Sequence, residues 1–267
     1  MDSATVAATA ERLKQARLNG QPVPELTAGE RPETEDEGYA VQAALAEALC
    51  AEGKGPVAGY KIGATTPSMQ SYLGVPEPAF GRILAPNVLR SPAEFRTPGH
   101  VTAGIECEIA IRLSRDVPAN RPITTVAEAT SCIDEVYPAI EIVENRYGDF
   151  KACGVPTLMA DDFFHRACVI GAPVSGWRDI ALDTLEGRTR IDGAVALEGR
   201  SADVLGHPLN SLVWLSGRLA GAGLGLTAGM IVMTGSITPV HWVERFPCEA
   251  AIEIDGLGRS ELILSRE

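Results

Sequence analysis

The sequence predicts an α+β chain, rich in strands. Many short apolar runs sit at irregular spacing, helical patterns are few, and there is no strand–helix alternation of the kind that builds a doubly wound sheet. Residues 1–55 read as a helical segment and 56–267 as a β-rich domain.

Taken in order, residues 2–18 place Val6, Ala10 and Leu13 at helical spacing, with Leu18 near the same face. Thr34 or Asp36 can cap a second helix that runs to about Glu52 and buries Tyr39, Val41, Leu45 and Leu49. From Val57 to Thr65 the pattern becomes strand-like between glycines, and a short helix follows through Met69 and Leu73. The glycines and prolines of 73–83 predict a fixed loop. Residues 101–113 and 137–144 read as strands separated by a helix over about 123–133, and 145–154 as a loop. A strand spans 167–171. Asp192-Gly193 marks a hairpin within 186–198. His207-Pro208 opens a helix to about Ala222, and strands over 231–236, 249–254 and 261–264 complete the chain.

The chemistry gathers on Gly104-Ile105-Glu106-Cys107-Glu108-Ile109. Side chains alternate along a strand, so Glu106 and Glu108 share a face. Adjacent carboxylates on an apolar strand need water or a cation, and a hard divalent ion such as Mg²⁺ or Mn²⁺ is the simplest solution. A solvent-facing strand edge is the alternative. Glu141 lies between Ile140 and Ile142 on the second strand and adds a third acid. Lys61 interrupts another apolar run. It needs an anion nearby or a lowered pKa, unless it reaches water at the strand end.

Composition narrows the function. The chain has 267 residues, 45% hydrophobic and 22% charged, with a net charge of −12. It carries no Lys/Arg run, which disfavours an electrostatic grip on nucleic acid or an anionic membrane. Six cysteines without a CxxC pair, and no signal peptide or long apolar span, predict free thiols and a cytoplasmic location.

The order of these pieces carries a resemblance. Lys61-Ile62-Gly63, Leu73-Gly74-Val75, Pro78-Ala79-Phe80-Gly81, Glu106-x-Glu108, Pro138-Ala139-Ile140-Glu141-Ile142, Gly206-His207-Pro208-Leu209 and Thr234-Gly235-Ser236 together resemble the hydratase and decarboxylase branch of the fumarylacetoacetate hydrolase superfamily. The resemblance implies a mixed β-sandwich or β-roll core with N-terminal helices. It implies Mg²⁺ or Mn²⁺ on Glu106, Glu108 and Glu141, with Lys61 as the catalytic residue. Leu73, Phe80, Asp162, Thr234 and Ser236 are the expected substrate contacts. The implied reaction is hydration of a 2-hydroxy-2,4-dienoate or 2-oxo-enoate to a 4-hydroxy-2-oxo acid. Decarboxylation of a 2-oxo-enedioate is the same-fold alternative, with Arg82, Arg146 or Arg166 meeting the second carboxylate. A catalytically altered partner subunit of such an enzyme is another. Homo-oligomers are expected, as is association with a related decarboxylase or hydratase. As a general base, Lys61 would need its pKa lowered to roughly 7–8.

Two departures touch the expected pocket. Ala79 stands where the family has Asp, with Glu77 or Asp162 as replacement acids. Asp162-Phe163-Phe164-His165 stands where the family has Asn and small residues, and His165 reads as a packing or surface residue.

Overall fold

The computed structural model describes residues 1–267. Two helices come first, α1 (Ser3–Leu18) and α2 (Glu35–Ala51). Then follow β1 (Val57–Gly63), α3 (Pro67–Leu73), β2 (Ala79–Leu84), β3 (Val88–Arg90), β4 (Ala93–Thr97), β5 (Thr102–Leu113), α4 (Val126–Ser131) and β6 (Ile133–Asn145). The second half contains α5 (Phe150–Cys153), α6 (Val155–Ala160), β7 (His165–Ile170), β8 (Glu186–Ile191), β9 (Ala194–Arg200), α7 (Asn210–Gly221), β10 (Ile231–Ser236), β11 (His241–Trp242), β12 (Cys248–Ile254) and β13 (Gly258–Arg266). No helix is long and apolar enough to cross a membrane.

The strands form two mixed sheets. One runs β2-β1-β10-β5-β6-β7-β3, with β11 added to β5; the other runs β4-β13-β12-β8-β9. Alternation divides β5 cleanly. Ile105, Cys107, Ile109 and Ile111 join Ile140, Ile142, Val169 and Val232 against Ile252, Leu262 and Leu264 of the second sheet, which makes the sandwich core. The opposite face of the first sheet turns inward on itself. Ile83 of β2, Ala110 of β5, Ala139 of β6, Cys168 of β7 and Met233 of β10 share one small buried cluster. The sheet has therefore curled into a roll, the architecture expected of an α+β chain with a mixed β-sandwich or β-roll core.

The N-terminal helices pack onto this body. Leu13, Val41, Leu45 and Leu49 meet Leu84 and Ala160, and the buried Gln42 amide donates to the carbonyls of Phe80, at 2.9 Å, and Met159, at 2.6 Å. Thr34 caps α2 in a reciprocal capping box with Glu37.

The expected loop over 73–83 is corrected in its second half, where Ala79–Leu84 is a fully buried strand. Gly81 lies opposite Lys61, and a Cβ there would sit 2.4 Å from the carbonyl oxygen of Asp162. The glycine marks a close crossing of two chain segments, not a turn. The helix expected over 123–133 shortens to Val126–Ser131, because β6 begins at Ile133 and runs 13 residues. The loop expected at 145–154 contains the short α5.

Candidate metal centre and active-site cleft

Register brings the acids together. Glu106 pairs directly with Glu141 across β5 and β6, and Glu108 lies two residues along the same face. One carboxylate oxygen from each lies within 4.8 Å of the other two. Lys61 reaches the same face from β1, two strands away through β10, and its Nζ stands 3.4 Å from Glu141 Oε1.

The surroundings hold these groups in place. His165, at the start of β7, is buried, and its Nδ1 donates to Glu141 Oε1 at 2.8 Å. Glu108 Oε2 accepts from the Gly235 N–H at 2.9 Å. That approach needs glycine: Gly235 has φ +110°, and a Cβ there would lie 2.5 Å from Thr65. Phe163 closes over the lysine, its ring centroid 5.1 Å from Nζ, and it leaves no room for a side chain on Gly63, whose Cβ would sit 2.6 Å from that ring.

Asp162, Phe163 and Phe164 have φ of +56°, +51° and +68°, three consecutive non-glycine residues in left-handed conformation. Each costs about 1–2 kcal/mol. The turn survives because both ends are tied: Arg82 N–H donates to Asp162 Oδ1, Arg17 Nη1 donates to its Oδ2, and β7 begins at His165.

Electrostatics favours a cation at the three acids. Burial, with Glu141 next to it, pushes Glu106 up to about 8. Burial and the two neighbouring carboxylates push Glu108 well above the carboxylate range. Burial alone would raise Glu141 too, but the Lys61 ammonium and the His165 hydrogen bond hold it below its ordinary value. Glu108 Oε1 and Glu141 Oε2 are buried without a hydrogen-bond partner. Orphaned oxygens of this kind are costly. An all-oxygen donor set with free lone pairs and excess negative charge fits a hard divalent ion.

Comparison with known proteins agrees. Residues 72–261 match the family model described as fumarylacetoacetate (FAA) hydrolase C-terminal. The chain is 32% identical over 257 residues to a 2-keto-4-pentenoate hydratase of Burkholderia vietnamiensis, covering 96% of each. It belongs to the fumarylacetoacetate hydrolase family. Two other similar proteins are informative. A 4-oxalocrotonate decarboxylase of a Pseudomonas species is 30% identical over 229 residues, 86% of each chain. The structure of 4-oxalocrotonate decarboxylase from Pseudomonas putida, complexed with magnesium and adipate, superposes with a TM-score of 0.89 at 26% identity, covering 99% of this chain and 98% of that one.

A cleft opens beside the acids of this family member, with two lobes that meet at Glu106. Ser236 lines one lobe with Thr65, Gln70 and Asp203. Leu73 lines the apolar lobe, which Lys61 also borders. Thr234 is buried, and its hydroxyl donates to the Ile109 carbonyl, so it braces β10 against β5.

Other expected contacts are corrected. Phe80 lies opposite Ile62, not Lys61, so it faces the other side of the sheet. There it stacks on Tyr39 at 4.1 Å and abuts Tyr60. The Asp162 carboxylate is consumed by Arg17 and the Arg82 backbone. Glu77 accepts from the Trp214 indole. Neither replaces the acid missing at Ala79, which packs in one apolar cluster with Phe163 and Met159. Arg82 bonds Gln42, Arg146 bonds Asp161, and Arg166 faces Glu144; all three border a separate cleft with Arg17. His165, expected as a packing or surface residue, is the hydrogen-bond partner of Glu141. Its sequence signal was its place in the departing Asp162–His165 stretch, next to a strand.

Proposed function

We propose that this chain is a metal-dependent hydratase that converts a 2-hydroxy-2,4-dienoate, through its 2-oxo-3-enoate tautomer, to a 4-hydroxy-2-oxo acid. The carrying observation is the convergence of Glu106, Glu108 and Glu141 within 4.8 Å, with buried unpartnered oxygens and Lys61 beside them. Glu106, Glu108 and Glu141 would hold Mg²⁺ or Mn²⁺. The bound ion supplies Lewis acidity toward the carboxylate and C2 oxygens of the substrate.

The residues of the chain do the rest. Lys61 moves the proton. Ketonisation of the dienol puts one proton on C5, and water addition then places hydroxide at C4 and a proton at C3. Glu141 and the Phe163 ring hold Nζ at the boundary of the apolar lobe, where those carbons would lie. His165 fixes the orientation of Glu141. Gly235 fixes that of Glu108, and Ser236 next to it lines the cleft where the acid end of the substrate would lie. Phe163 and Phe164 give the reacting carbons an apolar wall. Decarboxylation would require a cation for the second carboxylate, and Arg82, Arg146 and Arg166 are all engaged away from the cleft.

Incubation with 2-hydroxypenta-2,4-dienoate and Mg²⁺ or Mn²⁺, following dienol absorbance and the product by mass, tests the reading. Turnover abolished by chelator is expected. Carbon dioxide release from an oxalocrotonate, without hydration of the dienoate, would transfer the assignment to decarboxylation. Turnover of neither substrate until a related subunit is added would favour the partner role. We further propose a homo-oligomer, to be measured by light scattering, and a reducing cytoplasm, which the six unpaired thiols support.

A further inference from the structure

The apolar lobe, a cavity of about 330 Å³, is walled by Tyr72, Phe150, Phe163, Phe164, Val143 and Trp242 among others. Four of its rings form a connected set. Phe163 meets Phe164 edge-on at 5.9 Å, Phe164 meets Phe150 at 5.6 Å, and Phe150 meets Tyr72 at 6.4 Å. The chain exposes five large hydrophobic side chains, and two of them, Tyr72 at 56% and Trp242 at 40%, stand on this wall. Apolar surface left open around a cavity marks a place that something apolar covers.

Charge is as telling. Lys61 is the only cationic residue on the wall, and its ammonium faces Glu141. Lys151 lies over the Tyr72 ring at 4.2 Å but is exposed and off the wall. A second carboxylate in this lobe would meet mostly apolar wall and no cation beyond Lys61, with only the uncharged Thr102 and Asn145 to bond it. The strained left-handed turn at 162–164 adds a separate observation, since it is what turns the Phe163 and Phe164 rings onto the wall.

We infer that this lobe receives the carbon tail of a monocarboxylic 2-oxo or 2-hydroxydienoic acid with an alkyl or aryl substituent, and that Phe164 and Trp242 set this preference against dicarboxylates. The inference rests on the hydratase reading and deepens it by naming the substrate class.

The test is calorimetric binding to the Mg²⁺-loaded protein of four saturated 2-oxo acids that cannot be hydrated: pyruvate, 2-oxohexanoate, 2-oxo-4-phenylbutanoate and 2-oxoadipate. Affinity is expected to rise about fourfold for each added methylene, and 2-oxoadipate to bind at least tenfold more weakly than 2-oxohexanoate, which has the same number of carbons. Phe164→Leu is expected to shrink the advantage of the phenyl compound, and Phe164→Arg to reverse the order of the two six-carbon acids. Trp242 emission should shift with 2-oxohexanoate and not with pyruvate. Affinity that is flat with chain length, absent for all four acids, or equal for the two six-carbon acids overturns the inference. Because binding needs no turnover, a protein that prefers long apolar acids yet hydrates no dienoate would sink the hydratase reading alone. One that hydrates the short dienoate with a flat binding series would sink this inference alone.

Discussion

Lys61 and His165 both touch Glu141 Oε1, at 3.4 and 2.8 Å, yet their replacement should have opposite consequences for the metal. Lys61→Met removes a proton carrier and should lower kcat by roughly 10²–10⁴-fold. Manganese affinity, read by titration calorimetry, should hold or tighten, because an adjacent ammonium repels the cation. His165→Ala removes the donor that orients a ligand and should weaken Mn²⁺ binding by roughly 10–100-fold. If the lysine variant loses the metal or the histidine variant keeps it, the roles assigned to the two residues are wrong. At this scale the sequence spoke well for ligands and poorly for contacts. The three glutamates and Lys61 announce themselves because charge in an apolar strand is expensive. Phe80 does not, because its orientation depends on Ala79–Leu84 being a strand in register with β1.

The element that gives this site its particular form is the turn from Asp161 into β7. In most positions alanine is more stable than glycine, since glycine loses more chain entropy on folding. At Phe163 the order should invert. Both Phe163→Gly and Phe163→Ala lose the buried ring, but only glycine relieves a φ of +51°, so the glycine variant should be the more stable by roughly 1 kcal/mol in urea denaturation. Equal or reversed stabilities would mean that the turn is not strained. Gly81 offers a second element-level test. Alanine there would meet the Asp162 carbonyl at 2.4 Å and should destabilise the fold by about 1–3 kcal/mol through overpacking between β2 and the turn.

On the scale of the whole molecule, the metal-free protein carries a pH liability. Glu106, held at about 8, and Glu108, held well above the ordinary carboxylate range by burial and its neighbours, bind protons more tightly folded than unfolded. Native protein then holds more protons than unfolded chain between pH 4.5 and 8, and stability falls as pH rises through that window. Thermal melting without metal should show Tm declining from pH 5 to pH 8. Magnesium should restore it, with a larger rise at pH 8, because metal and proton compete for the same oxygens. A metal-induced rise that is larger at pH 5 would contradict this assignment of the triad.

What was legible in the sequence is what local pattern encodes. Period-two alternation put Glu106 and Glu108 on one face, capping and helical spacing set α1, α2 and α7, Asp192-Gly193 set a hairpin, and the order of short motifs pointed to the family. The tertiary structure alone decided which side chains meet. Curling of the first sheet brings Lys61 of β1, and pairing of β7 with β6 brings His165, to the same Glu141 oxygen across 80 and 24 residues of sequence. It sends Arg82, Arg146 and Arg166 to another cleft, and it turns Phe163 and Phe164 onto the wall through a backbone conformation that no propensity favours. Alternation is a property of one strand and its neighbours in sequence. Convergence depends on how far a whole sheet bends and on what must fill the space inside it.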